Sequence, residues 1–170
     1  MQALAKPLQE EAERIILELY AQGEFDVLAL CQQLNIKVFN VHCPKPHQGS
    51  KLTKHHKSWT ICVNGHEPRE HQRFLVAHEL GHFFSHQYGL EKEENINTYE
   101  CCIDEEGKHN HSHTQASQFA AQIMMPESTV RALYQAGNNL GEMARYFGVS
   151  EAAMSFRLID LGYGIVEQTS

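Results

Sequence analysis

Apolar residues recur along this chain with two different periods, and the changes of period mark its elements. Over residues 7–21, Ile15, Ile16 and Leu19 fall at helical spacing behind Pro7, a residue suited to a first helical turn, and ahead of Gly23. Residues 26–34 predict a second, short helix, with Asp26 placed to cap it and Val27, Leu30 and Leu34 on one face. Alternation then takes over. Residues 36–41 and 59–63 read as strands, the second closed by the turn pair Asn64-Gly65, with residues 51–54 as its expected hairpin partner. Residues 43–50, with two prolines and a glycine, predict a loop.

The second half is helical in period. A long helix is expected over 69–85 and another over 113–125, the latter stopped by Pro126. Shorter ones are expected over 128–135, 140–147 and 151–161. Between the two long helices, residues 87–110 are polar and acidic (Glu91, Glu93, Glu94, Glu100, Asp104, Glu105, Glu106). They predict a loop, and loops of that length inside a compact domain are often functional. Residues 140–162 have the outline of a helix-turn-helix, with the turn at Gly148-Val149-Ser150. Its second helix opens with Glu151 and offers Arg157 alone as a base or phosphate contact, which favours packing over DNA reading.

Composition changes this picture in three ways. At 170 residues the chain suits one good core, and no apolar run approaches the ~20 residues of a membrane span. The net charge of −7 weighs against binding a phosphate backbone, so DNA is not an expected partner. Five cysteines at irregular spacing, with no signal-like pattern over residues 1–10, point to a reducing, cytoplasmic setting. Twelve histidines are also present, unevenly placed: one group lies between His42 and His86, another is His109, His111 and His113. That unevenness directs attention to metal chemistry.

Residues 78–82 read His-Glu-Leu-Gly-His. On a helix, positions i and i+4 lie one turn apart, so both imidazoles reach one ion. Setting His78 at zero, His82 falls at about 40° and Glu79 at about 100°, near enough to hold a metal-bound water without ligating the metal. Val76, Leu80 and Phe83 fall between about 140° and 200°, giving the helix an apolar back. Catalytic zinc takes three protein ligands, and His86, in line on the same helix, cannot help surround the ion. On the helix after the acidic segment, Ser112 with Gln115 reads as a capping box that sets His113 at the first helical position. His113 then projects from the end of a face formed by Ala116, Ser117, Ala120, Ile123 and Met124, which makes it the expected third ligand. His109 and His111 remain substitutes.

With these residues in view, the chain resembles the ImmA/IrrE family of metallo-endopeptidases. The resemblance is carried by Gly49-Ser50-Lys51-Leu52, Ile61-Cys62-Val63-Asn64, the run from Arg73 to His82, and the run from Ala116 to Pro126. It implies a gluzincin-type zinc peptidase over residues 1–127, with a helical, helix-turn-helix-like segment over 128–170 packed on it. It implies one Zn2+ per chain and a protein substrate, a helix-turn-helix repressor or antitoxin whose removal derepresses stress-response or mobile-element genes. The family generally places a glutamate at the position of His113 and a second at that of Gln115. A neutral third ligand leaves the site one unit more positive, which acidifies bound water; alternatively such a site binds without cutting.

The expected fold is therefore α+β: a small, mainly antiparallel sheet packed on two zinc-bearing helices, with a helical C-terminus. The leading functional reading is an endopeptidase with Glu79 as catalytic base. Beside it stand a catalytically weak zinc protein that regulates by binding, and a DNA-binding regulator with structural zinc. Substrate is expected to lie as an extended strand along residues 59–63, with Trp59, Ile61 and Val63 in contact and residues 87–110 as a lid. Cys101 and Cys102 read as loop cysteines rather than as a second metal site with His109 and His111. Lys51, Lys54, His55, His56 and Lys57 read as a solvated basic tip.

Overall fold

A computed structural model of the chain describes residues 14, 16–20, 25–42, 49–56, 58–89, 98–101 and 111–164, with the backbone alone at 86–89, 98–101, 111 and 112. Residues 16–20 are helical; the remainder of the helix expected over 7–21 lies outside the described residues, apart from Arg14. Next comes α1 (Val27–Gln33), which starts where Asp26 accepts a hydrogen bond from the Leu28 N–H at 2.9 Å and buries Val27, Leu30 and Cys31. Asn35, at φ 56°, turns the chain out of α1 and into β1 (Ile36–Val41). Asparagine tolerates that left-handed conformation better than most residues.

Strands β2 (Ser50–His55) and β3 (Ser58–Asn64) form the expected hairpin, in register Ser50↔Val63 to His55↔Ser58. The sheet order is β1-β3-β2-β4, with β4 spanning Thr98–Cys101. Only the β1–β3 pair is parallel; β2 runs antiparallel to both β3 and β4. The sheet is thus mainly antiparallel and the fold is α+β, as the periodicities implied.

Two expectations fail here. Strand β3 is not an edge: β1 and β2 flank it, and Ile61 and Val63 are buried to 0% and 1% exposure. Those two side chains are core, and no backbone donors along β3 are free for a substrate strand. The local pattern could not show this, because a β-rich run reads alike at the edge and in the centre, and its parallel partner carries no turn signal. Nor is the acidic stretch all loop. The helix before it, α2, runs Arg69–Gly89, and β4 occupies part of the stretch. Four residues of β4 pair along β2, which supplies the ladder that their own sequence does not announce. Cys101 is on this strand, while Cys102 and His109 lie outside the described residues.

Helix α2 presses Val76, Leu80, Phe83 and Phe84 into the core, where Leu52, Ile61 and Val63 of the sheet also lie. Against α2 packs α3 (His111–Met124), burying Ala116, Ala120, Ile123 and Met124. It begins two residues earlier than expected, so Ser112 sits inside the helix and is not its cap. The chain continues through α4 (Glu127–Gln135), α5 (Leu140–Phe147) and α6 (Glu151–Asp160), whose Val130, Met143, Phe147, Met154 and Leu158 join the same hydrophobic cluster. Asn139 and Glu142 form a capping box for α5, Gly148 ends it in the left-handed conformation, and Ser150 caps α6.

Arg157 of α6 points inward. It is 5% exposed, donates from Nε to the Met125 carbonyl at 3.0 Å, and pairs with Asp160 at 2.8 Å. It is therefore a tie between the C-terminal helices and the end of α3, not the nucleic-acid contact that its position in the sequence offered. Arg73 makes a second tie, donating to the carbonyls of Phe25 and Gly148. Among the described residues, no helix is long and apolar enough to cross a membrane.

Candidate metal centre

The site depends on how closely α2 and α3 approach. A Cβ added at Gly81 would lie 2.7 Å from Ala116 Cα, 3.0 Å from its carbonyl oxygen and 3.1 Å from its Cβ. Glycine on one helix and alanine on the other let the backbones nearly touch. His82 is the next residue on α2, and His113 lies three residues before Ala116 on α3, so the ligand-bearing turns meet beside that contact.

There, three imidazole nitrogens converge. His78 Nε2 and His82 Nε2 are 3.1 Å apart, and His113 Nδ1 lies 3.3 Å from the first and 3.1 Å from the second. His78 and His82 are buried and His113 is half-buried. Among the described residues this is the one group of three or more His, Cys, Asp or Glu side chains placed to hold a metal ion. Nitrogens about 2.0–2.1 Å from a common ion, at tetrahedral angles, stand roughly 3.3 Å apart. The observed triangle has that footprint.

The electrostatics agree with the geometry. Burial, followed by the nearness of His113, pushes the His78 imidazole down to about 4. It is neutral at pH 7 and keeps a lone pair for a cation. Its other nitrogen, Nδ1, is 3.1 Å from the Ser117 hydroxyl on α3.

Glu79 follows His78 on α2 and is 3% exposed. Its Oε1 accepts from the Ser50 hydroxyl, the first residue of β2, at 2.7 Å. Its Oε2 is buried with no hydrogen-bond partner. Burial raises this carboxyl to about 7, against the smaller lowering effects of the Ser50 bond and the Leu52 backbone. A buried, unpartnered carboxylate oxygen on the residue after His78 is available for proton exchange. It fits a proton acceptor for water held at an ion's fourth position.

The structure thus brings together His78, His82 and His113, with Glu79 following His78 on the same helix. It does not bring Ile61 or Val63 to the site as surface contacts. Trp59 is half-buried, edge-on to Phe83 and beneath Lys54 Nζ at 5.4 Å. The supporting bonds of Ser50 and Ser117 escaped the sequence reading; close approach of a helix at the alanines beside His113 was expected, and Gly81 is the residue that meets Ala116 there. Ser117 could have been found, since it lies one turn after His113 on the same face. Ser50 could not, because its meeting with Glu79 depends on where the sheet sits beneath α2.

Comparison with known proteins agrees with this geometry. The chain is 28% identical over 120 residues to the metallopeptidase ImmA of Bacillus subtilis (strain 168), a match covering 68% of this chain and 66% of that relative's length. Residues 31–159 also match the family model described as the IrrE N-terminal-like domain of the M78 peptidases. Because that stretch takes in the sheet, both histidine-bearing helices and the helices that follow, the chain belongs to the IrrE N-terminal-like family of M78 peptidases.

Proposed function

We propose that this protein is a zinc-dependent endopeptidase, with one zinc held by His78, His82 and His113 and with Glu79 as the general base. The observation that carries the reading is the nitrogen triangle of 3.1–3.3 Å beside a buried carboxylate whose Oε2 has no partner. Three imidazoles form a donor set suited to zinc rather than to magnesium or manganese, which favour oxygen. When bound, the zinc supplies a Lewis acid that polarises a peptide carbonyl and acidifies water.

The rest falls to the chain's own residues. His78 and His82, fixed on the rigid apolar-backed α2, and His113 on α3 hold the ion's position. Ser50 anchors Glu79 through Oε1, which leaves Oε2 to take the proton of the attacking water. Glu79 then returns that proton to the leaving amine, so that one carboxyl serves as base and then acid. Its elevated proton affinity suits this exchange, since a base poised near neutrality works in both directions.

The substrate class rests on the family resemblance: a regulatory protein of the helix-turn-helix repressor type, met in the cytoplasm. The second reading, regulation by binding alone, is favoured by His113 standing where the family generally carries a glutamate. One experiment separates the two. Purified protein is incubated with the helix-turn-helix protein encoded beside its gene, with zinc, with a chelator, and as Glu79→Gln. The endopeptidase reading expects cleavage by the zinc-loaded wild type and a loss of orders of magnitude in Glu79→Gln, which still binds zinc. Equal inactivation of the repressor by both proteins, without cleavage, would establish binding instead.

A further inference from the structure

We infer that Ser117 is a positioning residue for the metal site, holding His78 in the one tautomer and ring orientation that turns its Nε2 lone pair into the triad. This rests on the metal reading of His78, His82 and His113.

The argument starts from the two nitrogens of His78. Nε2 faces His82 Nε2 at 3.1 Å and His113 Nδ1 at 3.3 Å, while Nδ1 faces Ser117 Oγ at 3.1 Å. A neutral imidazole carries one N–H and one lone pair. A metal takes only the lone pair, so Nε2 must be bare and Nδ1 must carry the hydrogen. Ser117 Oγ is placed to accept that hydrogen. A hydroxyl has two lone pairs and one proton, so accepting from Nδ1 still leaves its proton to donate elsewhere. In helix interiors that habitual acceptor is the carbonyl one turn back. The opposite arrangement, with Ser117 donating to a bare Nδ1, would put a hydrogen on Nε2, where a neighbouring ring nitrogen could accept it, and would take away the lone pair that a metal needs.

Helix geometry explains why this residue holds the role. Ser117 and His113 are four apart on α3, hence on one face. His78 and His82 are four apart on α2. The two stripes meet across the Gly81–Ala116 contact, so one face of α3 delivers both the third ligand and the group that orients the first. A serine in the middle of a helix is a weak helix former, and this one takes a site where alanine would serve the fold at least as well. His113 differs from its partners in presenting Nδ1, the nitrogen nearest its own backbone. His78 depends on a side chain from the facing helix.

The test uses the full chain and zinc alone. Affinity is measured by competition with a chromophoric chelator for wild type, Ser117→Ala, Ser117→Thr and His78→Ala. The tautomer of His78 is read from imidazole nitrogen shifts in the zinc-free proteins. Ser117→Ala should bind zinc about 10- to 100-fold more weakly, the range seen when such supporting partners are removed. Its zinc-free melting should match wild type, and the share of His78 in the Nδ1–H form should be lower than in wild type. Ser117→Thr, which keeps the hydroxyl, should recover most of the affinity. Zinc affinity in Ser117→Ala within twofold of wild type, or a loss matched by a fall in zinc-free stability, overturns the assignment. Equal binding by wild type and His78→Ala would instead bring down the metal reading itself, so the two failures are distinguishable.

Discussion

Replacing Gly81 by alanine tests whether the metal site depends on the approach of α2 to α3. The added Cβ would stand 2.7 Å from Ala116 Cα and 3.0 Å from its carbonyl oxygen, whereas carbon atoms in contact rest at about 3.5–4.0 Å. Both obstacles are backbone atoms, which cannot rotate away. The helices must therefore part by roughly 0.8 Å or more at this point. His82 is adjacent to Gly81 and His113 is one turn from Ala116, so the separation passes to the 3.1 Å gap between their nitrogens and opens it toward 4 Å. Metal–ligand distances tolerate about 0.2 Å, so one of three bonds is lost or badly stretched. Zinc affinity should fall at least 100-fold, about 3 kcal/mol. The fold should suffer less, because overpacking costs about 1–3 kcal/mol while replacing a helical glycine returns up to about 1. Chelator competition and urea unfolding with and without zinc measure the two effects separately. Adding Ala116→Gly removes only the 3.1 Å Cβ contact and leaves the two backbone contacts, so the double variant should recover only part of the affinity. The reasoning is refuted if Gly81→Ala binds zinc like wild type and its zinc-free form gains the stability that propensity alone predicts.

Two further outcomes follow from buried groups. In the zinc-free protein, Glu79 has its carboxyl raised from 4.5 to about 7, so the folded state holds a proton that the unfolded state has lost between those values, and stability falls as pH rises through that window. His78, lowered from 6.5 to about 4, acts in the opposite sense: the unfolded state takes the proton first, and stability falls as pH drops from 6.5 toward 4. Glu79→Gln removes only the first effect, so in urea titrations with chelator it should gain on wild type between pH 4.5 and 7, by at most about 3 kcal/mol; a constant difference across that range would contradict the assignment of burial as the cause. Cys31 is buried in α1 with its thiol pushed up to about 12, so a thiol reagent at pH 8 should modify it only at the rate of unfolding, and fast labelling of the native protein would show that α1 opens locally.

What was legible in the sequence was whatever a single element carries within itself. The pairing of His78 with His82, the apolar back of α2, the Asp26 cap and the β2–β3 hairpin all depend on residues a few positions apart. Their physics is local, and the structure reproduces them. His113 was legible because its helix has a wet face and a buried face, and the histidine stands at the end of the buried one. Errors gathered wherever partners are remote in sequence. The run Trp59 to Val63 looked like an exposed edge because nothing in it records that β1 will pair in parallel from the other side. Strand β4 was missed because its four residues are ordered by β2 and not by their own pattern. Arg157 packs as its helix was expected to, but its partner, the Met125 carbonyl 32 positions away, could not be named from the sequence. Ser50 likewise meets Glu79 across 29 positions.

The same division explains how a histidine can serve at position 113. A glutamate offers oxygens three bonds beyond Cβ, whereas His113 presents Nδ1, only two bonds beyond it. The donor is shorter, and it can reach an ion between His78 and His82 only if its own backbone comes close. The Gly81–Ala116 contact brings the two helices close together, and His113 Nδ1 lies 3.1 and 3.3 Å from the other two nitrogens. The exchange also alters charge. If three neutral imidazoles hold an ion, its double charge is left to groups outside the ligand set, and among the described residues Glu79, next to His78 in sequence, is one such group. Such an ion would draw the Glu79 carboxyl, which burial raises to about 7 against two lowering hydrogen bonds, toward its ionised form. Local helix patterns supply the donors, but the closeness that makes this donor set usable is a property of the packed pair of helices.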